Sequence, residues 1–333
     1  MFRMKFKDYI VYWYNIYRKA KQAPTTVTST VSTLNNHIIQ AGWAEKEVAD
    51  IGTRELQEYF TDLLLNGNKC KIPNWHRENN SLSTTTVRKI RQLIIACFKQ
   101  AVKERIISFN PAEETEPIPP RRTMPEVFTM EAQQKFLFYT RHHRFYAAYV
   151  LLFYTGCRRG EILGLSWDNV HWRESYISIR KIAILEDNMP VVRDRTKTIQ
   201  SERVIPIPKE IKELLHEVQR RQRHEKLLCP TWSNPYNLVF TNKDGSIYNP
   251  NYFSRNFKNA LIHVGLSKKL HCHCTRHSWA TNMIQIGIPI TDVQAIGGWA
   301  RPDILLNIYA HAVHKTHVKA MQKLYKMVPL KTT

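Results

Sequence analysis

Apolar residues recur through the first hundred positions at the three-to-four-residue spacing of amphipathic helices. Phe6, Ile10, Trp13 and Tyr17 form one stripe, and Val27, Val31, Leu34 and Ile38 form a second. Thr53 is placed to cap a third helix carrying Leu56, Tyr59, Phe60, Leu63 and Leu64, which stops near Gly67. A polar stretch over residues 66–81 follows, and Ser83 then caps a fourth helix with Val87, Ile90, Leu93, Ile94, Cys97, Ala101 and Val102. Four such helices can share one small core, so residues 1–110 are predicted to form a helical domain.

Five prolines fall within residues 108–125, which block regular structure and predict a stiff linker over 111–125. A second domain is expected over 126–333. It opens with helical patterns at 130–140, 145–154 and 160–165, and passes into a strand-rich segment at 176–208 that turns at Asp187 and Asn188. The remainder reads as largely helical, and no internal repeat is visible. The predicted class is mainly α with a small β-sheet: a helical domain followed by a mixed α/β domain.

The 333 residues are 43% hydrophobic, enough for two ordinary cores. Charge changes the picture more. The formal net charge is +21, with 19 cationic against 12 anionic side chains in residues 1–124 and 30 against 16 in the rest. Such a surplus repels itself on compaction and points to a polyanionic partner. The polar faces of the second and fourth helices fit that partner. Thr26, Thr30 and Thr33 lie on one, and Arg88, Arg91 and Lys99 on the other. Hydroxyls and cations on a helix suit phosphate oxygens and base edges, although an ordinary solvated face has the same composition.

Six scattered cysteines suit free thiols in a reducing cytoplasm. The apolar stretch 9–17 follows basic residues but is broken by polar ones and lacks a small-residue cleavage site. The run 145–154 is far shorter than the ~20 residues of a membrane span. A soluble cytoplasmic protein without membrane contact is expected.

Three stretches in the second domain carry candidate chemistry. In Thr155-Gly156-Cys157-Arg158-Arg159-Gly160-Glu161, Gly156 breaks the preceding helix, and Glu161 stands three residues from Arg158, where it can orient the guanidinium. In His273-Cys274-Thr275-Arg276-His277, the first histidine and Arg276 share a helix face. Gly297-Gly298-Trp299 is followed by Tyr309-Ala310-His311, and Lys197 lies near a hairpin. His271, Cys272, His273 and Cys274 offer metal-ligand types as an alternative reading. Their cysteines are only one residue apart and lack a matching second pair, so no metal is expected.

The T-G-x-R-x-x-E, H-x-x-R-H and G-W…Y-x-H motifs, in this order, resemble the tyrosine recombinases, or phage integrase family, over nearly the whole chain. The resemblance implies a helical, SAM-like core-binding domain followed by a mixed α/β catalytic domain. It assigns catalytic roles to Arg158, Lys197, His273, Arg276, Trp299 and Tyr309, with Glu161 in support. Tyr309 would be the nucleophile, forming a 3′-phosphotyrosyl link without metal or other cofactor. The implied partner is double-stranded DNA with inverted-repeat core sites. Four copies would assemble through a Holliday junction, with accessory DNA-bending or directionality proteins, in the cytoplasm at the nucleoid. Integration or excision of a mobile element would be the outcome. The terminal stripe Val313, Val318, Met321 and Leu324 would dock on a neighbouring copy or on its own domain. A type IB topoisomerase would use a similar residue set, and a DNA-binding regulator could keep the fold without the chemistry.

The chemistry explains these residue types independently. Paired guanidinium forks grip phosphate oxygens bidentately, which lysine cannot do. A tyrosine of ordinary pKa needs on the order of 4 kcal/mol to become a phenolate at pH 7, a cost that adjacent cations and a proton acceptor reduce.

Overall fold

The computed structural model describes residues 3–67, 81–120, 126–194, 203–302 and 305–306. The chain divides into two compact units, residues 1–123 and 124–333.

The first unit is built from α1 (Phe6–Trp13), α2 (Pro24–Thr33), α3 (Thr53–Asn66) and α4 (Thr84–Lys103). The first two helices run on into π turns, Tyr14–Arg18 and Leu34–Ile38. Ser83 caps α4 as its sequence predicts, its hydroxyl accepting from the Thr86 amide. Phe6, Ile10, Trp13, Leu56, Phe60, Ile90, Ile94 and Phe98 meet in one core. The α2 stripe is rotated from the predicted one: Val27 and Val31 are half-buried, while Thr30 is buried with Leu34 and Ile38. Part of the proline-rich segment packs on this unit. Ala112 and Thr115 are buried, and the Asn110 amide donates to the Ile95 carbonyl.

In the second unit α5 (Met130–Thr140) precedes α6 (Tyr146–Thr155), which is buried from Ala147 through Phe153 and so carries no polar face. After α7 (Arg159–Leu163), the strand-rich segment divides into two sheets. Strands β1 (Val170–His171), β2 (Tyr176–Ile179) and β5 (Arg203–Pro206) form an antiparallel sheet in the order β1-β2-β5. Among the described residues, strands β3 (Lys181–Glu186) and β4 (Met189–Asp194) pair only with each other. Asp187 and Asn188, at φ 48° and 65°, make the two-residue turn that matches the strand twist. Helices α8 (Lys209–Leu228), α9 (Pro250–His263), α10 (Cys272–Gln285) and α11 (Ile290–Gly297) complete the unit.

Its main core gathers Phe128, Phe136, Phe153 and Phe257, with the Phe136 and Phe257 ring centroids 4.6 Å apart. A smaller apolar cluster of Trp279, Ile284, Val293, Trp299 and Leu305 lies between α10 and α11. Helix α10 touches both clusters and packs on α6, so the residues of its first turns are held from two sides.

Candidate active site

Helix α6 ends at Gly156, whose φ of +62° is left-handed. A Cβ there would lie 2.4 Å from the Trp279 ring, so both backbone and packing require glycine. Two residues on, Arg158 is the N-cap of α7, and Glu161 reaches back to accept from the Arg158 amide at 2.8 Å. The same carboxylate accepts from Arg158 Nη1 at 2.9 Å, from Arg203 Nη2 at 2.6 Å and from Arg203 Nη1 at 3.3 Å. Glu161 is 2% exposed. Burial pushes its pKa up, but hydrogen bonding and charge from Arg203, then Arg158, prevail and hold it at about 2. Arg158 is thus tied to a carboxylate that stays ionised, while its side chain remains 42% exposed.

His273 and Arg276 stand one turn apart on α10. Arg276 is 1% exposed; its Nη1 donates to the carbonyls of Gly156 at 2.6 Å and Gly297 at 2.7 Å. Its guanidinium carbon lies 3.5 Å from the centroid of the Trp299 ring, which in turn stacks on Trp279 at 6.2 Å and 15°. Nε and Nη2 are buried and have no hydrogen-bond partner among the described residues. Burial first, then the nearby Arg158 charge, lowers its pKa to about 9, so Arg276 remains a cation at neutral pH. A buried cation with two unused donors is suited to grip an anion.

His273 is exposed at the surface, with neighbouring protein still partly desolvating its ring. That surrounding protein first, and the charges of Arg276, His271 and Arg158 next, lower its pKa to about 4. It is therefore neutral at pH 7 and able to accept a proton. His277 meets it edge-on at 4.7 Å and is lowered to about 4 as well, by burial and then by His273.

The structure thus brings together Arg158, Glu161, His273, Arg276 and Trp299. Lys197 and Tyr309 lie outside the described residues. Arg159 turns away, its Nη1 bound to the Pro250 carbonyl and the Ser254 hydroxyl on α9. Arg203 is the site residue that sequence reasoning missed. It meets Glu161 across 42 positions, and no apolar alternation in Arg203-Val204-Ile205-Pro206 marks it as inward-facing.

The candidate DNA contacts of the first unit fall into two groups. Thr26 and Lys99 are exposed, and Arg88 and Thr33 are half-buried, with the Thr33 hydroxyl donating to the Ser29 carbonyl. Thr30 faces inward at 8% exposure, 3.4 Å from Gln22 Oε1. Arg91 is engaged with the segment after α4, donating to Thr115 Oγ1 at 2.8 Å and to the Thr115 carbonyl at 2.7 Å. Among the described residues no three His, Cys, Asp or Glu side chains are placed to hold a metal ion, and no helix is long and apolar enough to cross a membrane.

Residues 129–316 match the model of the phage integrase family. A "Tyrosine recombinase XerC-like" protein of Caldanaerobacter subterraneus subsp. tengcongensis is 24% identical, over 92% of this chain and 79% of the relative. Among solved structures, the Tn1549 transposon integrase in complex with a circular intermediate DNA superposes with a TM-score of 0.79 at 18% identity, covering 96% of this chain and 99% of that one. A lambda integrase tetramer bound to a Holliday junction superposes with a TM-score of 0.66 at 14% identity, covering 91% and 77%.

Proposed function

The chain belongs to the phage integrase family, and from that membership we propose how its site acts. It is a tyrosine-type site-specific DNA recombinase that breaks and rejoins DNA for integration or excision of a mobile element. The observation that supports the assignment of roles is the buried Nε and Nη2 of Arg276, without a partner among the described residues, beside the carboxylate-anchored Arg158.

A scissile phosphate seated against Nε and Nη2 of Arg276 completes that fork, and Arg158 grips it from the other side. Donors fixed in advance cost no reorganisation as charge builds on the phosphoryl oxygens. Trp299 holds the Arg276 fork in plane and offers its indole N–H to the same group. Tyr309 attacks phosphorus while neutral His273 takes the phenolic proton. The P–O bond to the 5′ oxygen breaks, and Lys197 protonates that leaving group. The resulting 3′-phosphotyrosyl link conserves the bond, so no nucleotide cofactor is consumed. A 5′-hydroxyl from a second duplex then attacks the link, the proton transfers reverse, and Tyr309 is released.

Exchange between duplexes passes through a Holliday junction and calls for four copies around two DNA segments with inverted-repeat core sites. Accessory DNA-bending or directionality proteins join the assembly, in the cytoplasm with the nucleoid. In the first unit, Thr26, Thr33, Arg88 and Lys99 meet DNA directly. Thr30 and Arg91 serve it through the fold, the one anchoring α2 and the other holding residues 113–115 on α4.

The test is a duplex nicked near the cleavage point, so that the short 5′-hydroxyl strand diffuses away and cleavage cannot reverse. The protein should form a covalent adduct resistant to denaturing electrophoresis. Tyr309→Phe should bind the duplex with unchanged affinity and form none. An adduct that survives in Tyr309→Phe overturns the nucleophile, and relaxation of a plasmid lacking any core site would make the protein a topoisomerase.

A further inference from the structure

We infer that Arg203 is a positioning residue for strand cleavage: its fork fixes the Glu161 carboxylate and thereby sets the direction of Arg158. The inference rests on the recombinase reading above and extends it to a residue outside the family motifs quoted for this sequence.

A carboxylate has about four lone-pair sites. Among the donors that meet them at Glu161 are the backbone amide and Nη1 of Arg158, and Nη1 and Nη2 of Arg203. Arg203 occupies one contact on each oxygen, so the carboxylate cannot pivot. Without it, the second fork across the carboxylate is lost, and the carboxylate gains freedom to shift about the α7 N-cap, carrying Arg158 Nη1 with it. Misplacing a reacting group by ~1 Å costs about 100-fold in rate.

Arg203 is itself fixed on three sides. It opens β5 opposite Ile179 of β2, its Nη2 lies 3.4 Å from the Cys157 sulfur, and a Cβ on Gly298 would come within 2.7 Å of its Nη1. Gly298, at φ +68°, begins the turn that presents Trp299. Both Nη groups of Arg203 are taken up by the Glu161 carboxylate, so its influence on a bound phosphate passes through that neighbour. Its charge also works against the site, lowering the pKa of Arg276. An apolar side chain would fill the space without that repulsion. The geometry that Arg203 imposes on Glu161 accounts for a cation at this position.

Arg203→Lys keeps the charge but replaces a two-armed fork with a point donor. Single-turnover cleavage at saturating nicked duplex should fall about 30-fold or more. DNA affinity, measured in the Tyr309→Phe background, should stay within about threefold of the parent, because contacts remote from the site dominate it. The discriminating measurement is a cycle with Glu161→Gln. If Arg203 acts through Glu161, Glu161→Gln combined with Arg203→Lys cleaves as fast as Glu161→Gln alone. Where Arg203→Lys does not fold, the double variant Glu161→Gln with Arg203→Gln removes both buried charges, and the same equality with Glu161→Gln is expected. Cleavage by Arg203→Lys within about threefold of the wild type, or a double variant slower than Glu161→Gln by a further tenfold or so, overturns the positioning role alone. A wild-type protein that yields no adduct overturns the recombinase reading and this one with it.

Discussion

Replacing Glu161 by Gln tests how much the buried carboxylate contributes to the second unit. Glutamine keeps the size but removes the charge that compensates Arg203, which is 6% exposed. The magnitude can be reached in two ways. Glu161 falls from an ordinary 4.5 to about 2 in the folded protein, and about 2.5 units correspond to about 3 kcal/mol. Breaking a buried ion pair by removing one partner costs about 3–5 kcal/mol in other proteins. The two agree. For a unit of this size each kcal/mol moves Tm by ~2–4 °C, so Glu161→Gln should melt about 6–12 °C below the wild type at pH 7. Because the folded pKa is depressed, the stabilisation is fully present above the unfolded value of 4.5 and lost as pH falls through about 2. The Tm difference should therefore narrow steadily between pH 5 and about pH 2, as protonation makes the wild type resemble the variant. Differential scanning calorimetry of both proteins across that range is the assay. A pH 7 difference below ~2 °C, or one that does not shrink in acid, refutes the reasoning.

Gly156→Ala combines a left-handed backbone with a Cβ 2.4 Å from Trp279, and should cost at least ~2 kcal/mol in urea unfolding, with cleavage reduced because the Gly156 carbonyl orients Arg276. In the DNA-free protein the His273 ring should titrate near pH 4 by NMR, since burial and neighbouring cations disfavour its charged form. Adding core-site DNA should raise that value, as a bound phosphate offsets the cations, and a free-protein midpoint at 6.5 or above would contradict the arrangement. Lys99→Ala should reduce the salt slope of DNA binding by about one while leaving stability within ~0.5 kcal/mol. Arg91→Ala should instead lower stability of the first unit by about 1–2 kcal/mol, because it releases the hydroxyl and carbonyl of buried Thr115.

What the sequence made legible follows from the range of each interaction. The Arg158–Glu161 pair and the His273–Arg276 face lie within single helical turns, where spacing alone brings side chains together. Ser83 as a cap and Asp187-Asn188 as a turn are equally local. Arg203 could not be found this way, because strand pairing far along the chain delivers it to Glu161. The Thr-rich α2 was misjudged for a different reason. Two valines among hydroxyl residues make a weak apolar stripe, and the core anchor falls to Leu34 and Ile38 in the following π turn. Thr30, one turn before Leu34, is buried with these anchors, while Val27 and Val31 are only half-buried. The separation of β3 and β4 from the other strands was also invisible, since both sheets draw on one continuous strand-rich stretch.

The two arginine forks are supported by partners of different character, and this sets what each can give to a phosphate. Arg158 leans on an ionised carboxylate, which orients it but offsets part of its charge. Arg276 leans on two carbonyls and an indole ring, which orient it while leaving its full charge in place. It is also the more deeply buried, where hydrogen bonds to an anion gain most from the absence of competing water. Burial lowers its pKa only to about 9, so the low-dielectric setting is obtained without losing the proton at pH 7. A neutral His273 fits the proposed mechanism: a third positive charge would add attraction for DNA but remove the proton acceptor that the mechanism calls for. On this reading Arg276 supplies most of the transition-state charge stabilisation and Arg158 most of the alignment. Arg276→Lys should then lose more cleavage than Arg158→Lys at equal DNA occupancy, because lysine cannot hold both carbonyls, the indole face and the phosphate at once.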